Sequence, residues 1–257
     1  MKKVVILMIL VLSMLSINIF ADSAKDILKQ LSDSMKTFKT AKQSYELIVE
    51  KNGNKSIKEL DIYVLIYEEN EETKNKTILR INSPADVRNT TVLNLSEDEQ
   101  YVYLPALRKV KRISGSSKDE NFLDTDIKYS DMNLITGDIE DDENSKIISE
   151  DENNWKIQII NDDENVDYSR VEMIILKKEM MLEQAYFYNK KGELIKVMKS
   201  QDLIKEGKNK FWKKIEIQNI QNDTKTIMNY LEAEYDIPIT DRFFNKLNIS
   251  NPILVYR

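Results

Sequence analysis

Apolar and polar positions alternate along most of this chain with the two-residue period of a β-strand. One long stretch near the start has the period of a helix instead. Between Ser23 and Phe38, Ala24, Ile27, Leu28, Leu31, Met35 and Phe38 recur at three- and four-residue steps, with Lys25, Lys29, Asp33 and Lys36 between them. That spacing gathers the apolar set on one face of an α-helix. The stripe must be buried, and the chain beyond Phe38 is almost wholly strand-like, so a sheet is its natural partner. From Ala41 onward the alternation, broken by polar turns, predicts strands near 43–49, 57–67, 76–82, 90–95, 100–104 and 109–113. Seven more are expected near 146–149, 155–160, 169–176, 182–188, 194–202, 211–218 and 226–234. Turn chemistry separates several of them, at Lys51-Asn52-Gly53-Asn54, Asn189-Lys190-Lys191-Gly192 and Glu206-Gly207-Lys208-Asn209. Connections this short suit an antiparallel meander, not βαβ units. A short helix is expected at Asp241–Leu247, capped by Thr240 after Pro238.

Neighbouring strands rotate by roughly 20–25° each, so a meander of this length must curl. The expected fold is mainly β (α+β): a curled antiparallel sheet, or incomplete β-barrel, of about 11–13 strands, with the N-terminal helix and the short C-terminal helix on its concave side. No linker or change of composition divides the run, so residues 22–257 read as a single domain. Residues 1–21 read differently. Lys2 and Lys3 precede an apolar run from Val4 to Leu15, and small residues come after it around Ala21. This is the pattern of a secretory signal cleaved near Ala21, and the run is short for a stable membrane anchor. No cysteine stands after it to carry a lipid. The expectation is a soluble protein beyond the inner membrane.

Composition narrows the chemistry. The chain holds neither cysteine nor histidine. The first absence leaves the fold without disulfides. The second removes the usual general base and zinc ligand and every Ser-His-Asp arrangement. A carboxylate pair, a Ser-Lys pair or an oxygen-ligand metal site would be left. The acid-rich stretches 141–144, 150–153 and 162–165 lack the glycine and spacing of an EF-hand loop and read as solvated turns. Five glycines leave little room for a phosphate loop. The formal charge is −6, and losing Lys2 and Lys3 lowers it to −8. So acidic a chain is a poor partner for nucleic acid. No catalytic residue, cofactor or metal is expected.

Two features remain. Several strands are apolar on both faces: Leu60, Ile62, Val64 and Ile66 oppose Tyr63, Leu65 and Tyr67, and Val171, Met173 and Ile175 oppose Ile174 and Leu176. A sheet with one wet face alternates more cleanly, so the second face is covered either by protein or by a ligand cavity. The other feature is a cationic cluster, Arg108, Lys109, Lys111, Arg112 and Lys118, after the tyrosine strand Tyr101-Val102-Tyr103-Leu104-Pro105. Pro105 has no donor for a ladder and marks a strand end or edge. The cluster suits an anionic head group or an acidic partner, or internal pairing with the acids of Asp119–Asp131.

With SPADVRNTT at 83–91, YVYLPALRKVKRIS at 101–114 and FLDTDIKYSDM at 122–132, the segment Ile78–Met132 resembles the LolA-like outer-membrane lipoprotein-sorting proteins. In that family an SPxDxRGT strand precedes a YLPALRKVRRIS strand and an FLGSDFSYEDL turn. Here Ser83, Pro84, Asp86, Arg88 and Thr90 match the first element, with Asn89 where glycine is usual; Phe122, Leu123, Asp126, Tyr129 and Asp131 match the last, with Asp124 in place of glycine. Asn and Asp tolerate left-handed backbone, so both turns can survive. The resemblance implies an incomplete barrel closed by helices over an apolar cavity. It implies a non-enzymatic periplasmic carrier of lipoprotein acyl chains, or of another lipid. Such a carrier meets an inner-membrane transporter and an outer-membrane acceptor transiently and touches the membrane only peripherally. On that reading alternation nominates Ile62, Val64, Leu79, Ile81, Leu93, Tyr103, Ile175 and Met198 for the cavity wall. Arg108, Lys111 and Arg112 are nominated for head-group or partner contact. The rival expectation is an envelope accessory module that holds a protein partner, for example beside a membrane exporter, and has a filled core.

Overall fold

The computed structural model describes residues 23–96, 99–137, 139, 144–161 and 167–251. The expected signal segment and most of the acid-rich stretches 141–144 and 162–165 lie outside them. Thirteen antiparallel strands form one curled sheet, and each of the thirteen expected segments is a strand. In chain order they are β1 (Thr40–Lys51), β2 (Asn54–Glu69), β3 (Glu72–Ser83), β4 (Thr91–Ser96), β5 (Glu99–Leu104) and β6 (Lys109–Ile113). The second half contributes β7 (Ser145–Glu150), β8 (Asn154–Ile160), β9 (Arg170–Leu176), β10 (Met181–Tyr188), β11 (Leu194–Glu206), β12 (Asn209–Asn219) and β13 (Thr224–Tyr235).

The spatial order runs β6-β5-β4-β3-β2-β1-β13-β12-β11-β10-β9-β8-β7. The first and last strands thus pair at the centre, while two strands adjacent in sequence, β6 and β7, are the two edges. The connection from β6 to β7 must therefore lead from one edge of the sheet to the other, and of it residues 114–137, 139 and 144 are described. That crossing segment is what the functional site is built from. Around it the hairpins use the expected turn residues: Asn52 and Gly53 have φ of 52° and 77°, and Gly207 has 60°.

The N-terminal helix α1 (Ala24–Met35) begins in a capping box, with the Ser23 hydroxyl accepting from the Asp26 amide at 3.1 Å and the Ser23 amide donating to the Asp26 carboxylate at 3.2 Å. Ile27, Leu28 and Leu31 are fully buried in the larger of two apolar clusters, on the inner face of the curl. Each such side chain contributes about 1.5–3 kcal/mol. The helix ends against Gly137, which stands after α2 (Met132–Thr136) in left-handed conformation at φ 77°. The Ser32 hydroxyl donates to the Gly137 carbonyl at 2.9 Å. A Cβ on Gly137 would lie 2.8 Å from the Cβ of Met35. Gly137→Ala is therefore expected to cost about 2–4 kcal/mol, from left-handed strain plus overpacking. A denaturant titration checks it, and a loss below about 0.5 kcal/mol would contradict this contact.

The C-terminal helix departs from expectation twice. It is split into a 3₁₀ turn at Asp241–Phe243 and a helix α3 (Lys246–Ile249), because Phe244 leaves helical geometry and Asn245 caps afresh, accepting from Leu247 and Asn248. It also packs on the outer face, not the concave one. Ile239, Phe243, Phe244 and Ile249 cover Tyr63, Leu65, Ile78 and Leu93. The physical reason is the second apolar face of β2, which alternates with Leu60, Ile62 and Val64 and needs its own cover. Buried Arg80 ties this cover down, donating to the carbonyls of Ile249 at 3.2 Å and Asn251 at 2.5 Å.

Candidate functional site

Cross-strand pairing aligns an apolar floor on the inner face. Ile62 stands opposite Leu79, Leu79 opposite Val92 and Val92 opposite Val102. Leu47 and Leu60 extend this floor, with Met228 from β13 beside them. The roof is the crossing segment, whose Phe122, Ile127, Tyr129, Met132 and Ile135 point down onto the floor. Between roof and floor lies a cavity with about 30 Å³ of free space, room for a water but not for an acyl chain. A second cavity of about 60 Å³ shares Ile62, Ile135 and Thr136 with the first and is walled by Phe38, Tyr45, Val64, Phe211 and Tyr235. The roof side chains thus occupy the space a larger guest would take.

Polar contacts hold the roof at its turn. Phe122 donates its amide to the Ile127 carbonyl at 2.8 Å, and the turn between them passes through left-handed Leu123 (φ 47°) and Asp124 (φ 59°). Inside it the buried Asp126 carboxylate accepts from the hydroxyls of Thr224 and Thr226 on β13, the latter at 3.0 Å, while its amide donates to Thr226 at 2.8 Å. Asp131 pairs with Lys196 of β11, whose ammonium also donates to the Tyr168 hydroxyl and sits 4.6 Å from that ring and 4.5 Å from Phe187. The Lys128 amide donates to Asp131 at 2.6 Å. Burial pulls the Lys196 ammonium below the usual lysine range, against the opposing attraction of Asp131. Burial, then Asp131, pushes the Tyr168 phenol far up.

Burial raises other phenols too, Tyr45 strongly and Tyr129 to about 12. Free tyrosine loses its proton near pH 10. Between about pH 10 and 12 the unfolded chain binds fewer protons than the folded one, so stability falls as pH rises through that window. Melting measured by circular dichroism is expected to hold steady up to about pH 9.5 and to drop steeply above it. Tyr129→Phe is expected to flatten part of the drop; an unchanged slope would contradict the assignment.

Of the residues nominated from alternation, Ile62 and Leu79 line the first cavity and Ile62 and Val64 the second. Ile81, Ile175 and Met198 are buried in the same inner cluster without lining either cavity. Leu93 and Tyr103 are not brought to this site. They lie on the outer face, against the C-terminal cover. The correction is one of parity: Leu93 pairs with Tyr101, whereas Val92 pairs with Val102, so the inward set of β4 is one residue away from the expected one. Arg108, Lys111 and Arg112 are exposed at the edge formed by β6, and none of them lines either cavity. The acids of Asp119–Asp131 are largely engaged elsewhere, Asp119 with Lys128, Asp126 with the threonines and Asp131 with Lys196.

The holding residues Lys196, Tyr168, Thr224 and Thr226 went unnoticed in the sequence. One signal was there: Lys196 shares the inward parity of Met198, a charged residue in a buried row. Among the described residues no group of three or more acids is placed to hold a metal ion.

The fold recurs in solved structures. The structure superposes on a Vibrio parahaemolyticus domain named for outer membrane lipoprotein sorting, with TM-score 0.78 and 22% identity, covering 88% of this chain and 98% of that one. A DUF1329 family protein from Desulfovibrio piger gives TM-score 0.78 at 20% identity, covering 88% and 97%. A LolA superfamily protein from Nitrosomonas europaea gives 0.65 at 16%, covering 88% and 99%. No curated protein matches the chain in sequence. A family model described only as that of an uncharacterized protein matches residues 73–251, well over half of the chain. The chain therefore belongs to that family, and its fold is that of the LolA-like outer-membrane lipoprotein-sorting domains.

Proposed function

We propose that the protein is a periplasmic carrier, not an enzyme, that takes up the acyl chains of a lipoprotein or a related lipid beneath the crossing segment. It receives them from an inner-membrane transporter and yields them to an outer-membrane acceptor. The observation that carries this reading is the apolar floor of β1–β4 and β13 facing an apolar roof that is a crossing connection, not a strand of the sheet. Each CH₂ exposed to water costs roughly 0.8 kcal/mol, so a lipidated cargo needs such a shelter between membranes. The roof must be displaced to admit it, at a cost of a few kcal/mol that acyl burial offsets. No helix among the described residues is long and apolar enough to cross a membrane. Native mass spectrometry of the protein produced in a bacterial periplasm, then extraction and lipid analysis, tests the reading. A co-purified lipid or acylated peptide is the expected result; a bare mass that takes up no added fluorescent fatty acid would sink it.

One observation favours a second reading. The free space is small, as expected of a module whose core is filled and which binds a protein partner through its surface. That reading requires a stable protein complex and no lipid uptake.

A further inference from the structure

The β5–β6 hairpin carries chemistry that the cavity does not use. Its tip is a 3₁₀ turn, Pro105–Leu107, closed by Arg108 in left-handed conformation at φ 50°. Leu107 at this tip is 54% exposed and Val110, just beyond it, 37%. Between Gln100 and Lys118 the sequence has five cations and no acid, in a chain whose net charge is −6. Glu99, the acid before this stretch, is engaged with the Tyr101 hydroxyl at 3.0 Å.

The outer face of the hairpin continues onto α3. Arg112 pairs across the ladder with Tyr101, and the Lys246 ammonium stands 4.7 Å from the Tyr101 ring. The next residue, Leu247, is 83% exposed, the most exposed of the large apolar side chains in the described residues. The outer face of the hairpin thus sets Arg112 and Lys246 about Tyr101, with exposed Leu247 next to Lys246 and exposed Leu107 at the hairpin tip, while Lys109 and Lys111 stand on the other side of the same edge strand.

From this surface we infer a docking site for a bilayer rich in anionic lipid, with Leu107 and Leu247 entering among the head groups and Arg108, Lys109, Lys111 and Arg112 contacting their phosphates. Alternation sends Lys109 and Lys111 to one side of β6 and Arg112 to the other, so cations flank the strand on both sides, as a plane of head groups can accept. An extended acidic peptide adding to this edge is the competing occupant. An edge strand lined with Lys and Arg is the arrangement that discourages strand addition. The apolar tip also projects past the end of the ladder, where an added strand would not cover it. The inference rests on the carrier reading only in placing the protein beside a membrane; none of the docking residues lines either cavity.

The test is co-sedimentation with vesicles of phosphatidylcholine, alone or with one-third phosphatidylglycerol. The protein used lacks residues 1–21, whose apolar run would itself enter a bilayer; every described element lies after it. Binding is expected only to the anionic vesicles, and half-molar salt is expected to release it. Arg108→Glu with Arg112→Glu is expected to cut partitioning by about tenfold or more, as is Leu107→Asp with Leu247→Asp. All four positions are exposed, so the melting temperature should not move. Equal binding to neutral vesicles, no binding, or variants that bind like the parent would overturn the inference; capture of an acidic protein without vesicle binding would assign the surface to that partner instead. Fatty-acid uptake by the same variants separates the two readings. If the parent binds anionic vesicles but takes up no fatty acid, the carrier reading fails and the docking site stands.

Discussion

Lys196→Met is expected to loosen the roof by about 3–5 kcal/mol, the largest single-residue effect among the polar contacts of the site. The ammonium and the Asp131 carboxylate it meets are 5% and 6% exposed. Removing one partner of a buried pair strands the other, which costs more than the pair contributed. Asp131 would keep the Lys128 amide as donor, and the Tyr168 hydroxyl would lose its ammonium partner. The damage is local, because Asp131 belongs to the crossing segment and only Lys196 to the sheet. Hydrogen exchange by mass spectrometry is therefore expected to show residues 122–136 losing protection by a factor of about one hundred or more while β1–β3 keep theirs, since about 1.4 kcal/mol is tenfold. Adding Asp131→Leu should restore part of the loss, because an apolar pair of similar volume is often neutral. Uniform loss across sheet and roof would mean that the pair serves the whole fold and not the roof.

Met132→Ala with Ile135→Ala carries an unusual sign: it is expected to strengthen acyl binding. Residues that line a preformed site weaken binding when truncated. These two instead fill the site at rest, and Ile135 stands in the wall shared by both cavities. Truncating them removes part of what a guest must displace and joins the two cavities. An affinity gain of about tenfold for a fluorescent fatty acid is expected, with a loss of about 1–3 kcal/mol in stability from the vacated apolar contacts. A variant that loses stability and gains no uptake would favour the filled-core module over the carrier.

Much of the fold could be read locally. All thirteen strands stand where period-two alternation put them, and β6 has the expected limits, Lys109–Ile113, immediately after the turn that Pro105 opens. Asn89 and Asp124, which replace glycines of the family pattern, adopt the left-handed conformation anticipated for them, with φ of 67° and 59°. The site was legible only in part. Ile62, Val64 and Leu79 lie on β2 and β3, which are long and regular, so parity holds along them and all three line a cavity. Leu93 and Tyr103 were misplaced because β4 and β5 are short and apolar on both faces, and a short run does not reveal which face is inside.

Alternation, turn residues and the α1 stripe are properties of neighbours along the chain, so strand number, antiparallel order and the need for a curled sheet over a helix came from the residues alone. Which face became the interior depended on contacts between distant segments. The C-terminal residues returned to cover Tyr63 and Leu65 on the outside, which left Leu60, Ile62 and Val64 for the inside. The roof is the same kind of fact. Its anchors join Asp131 to Lys196 across 65 positions and Asp126 to Thr224 across 98. No local pattern encodes such pairs, because β6 and β7, adjacent in sequence, become opposite edges only once β1 has met β13 and the sheet has curled.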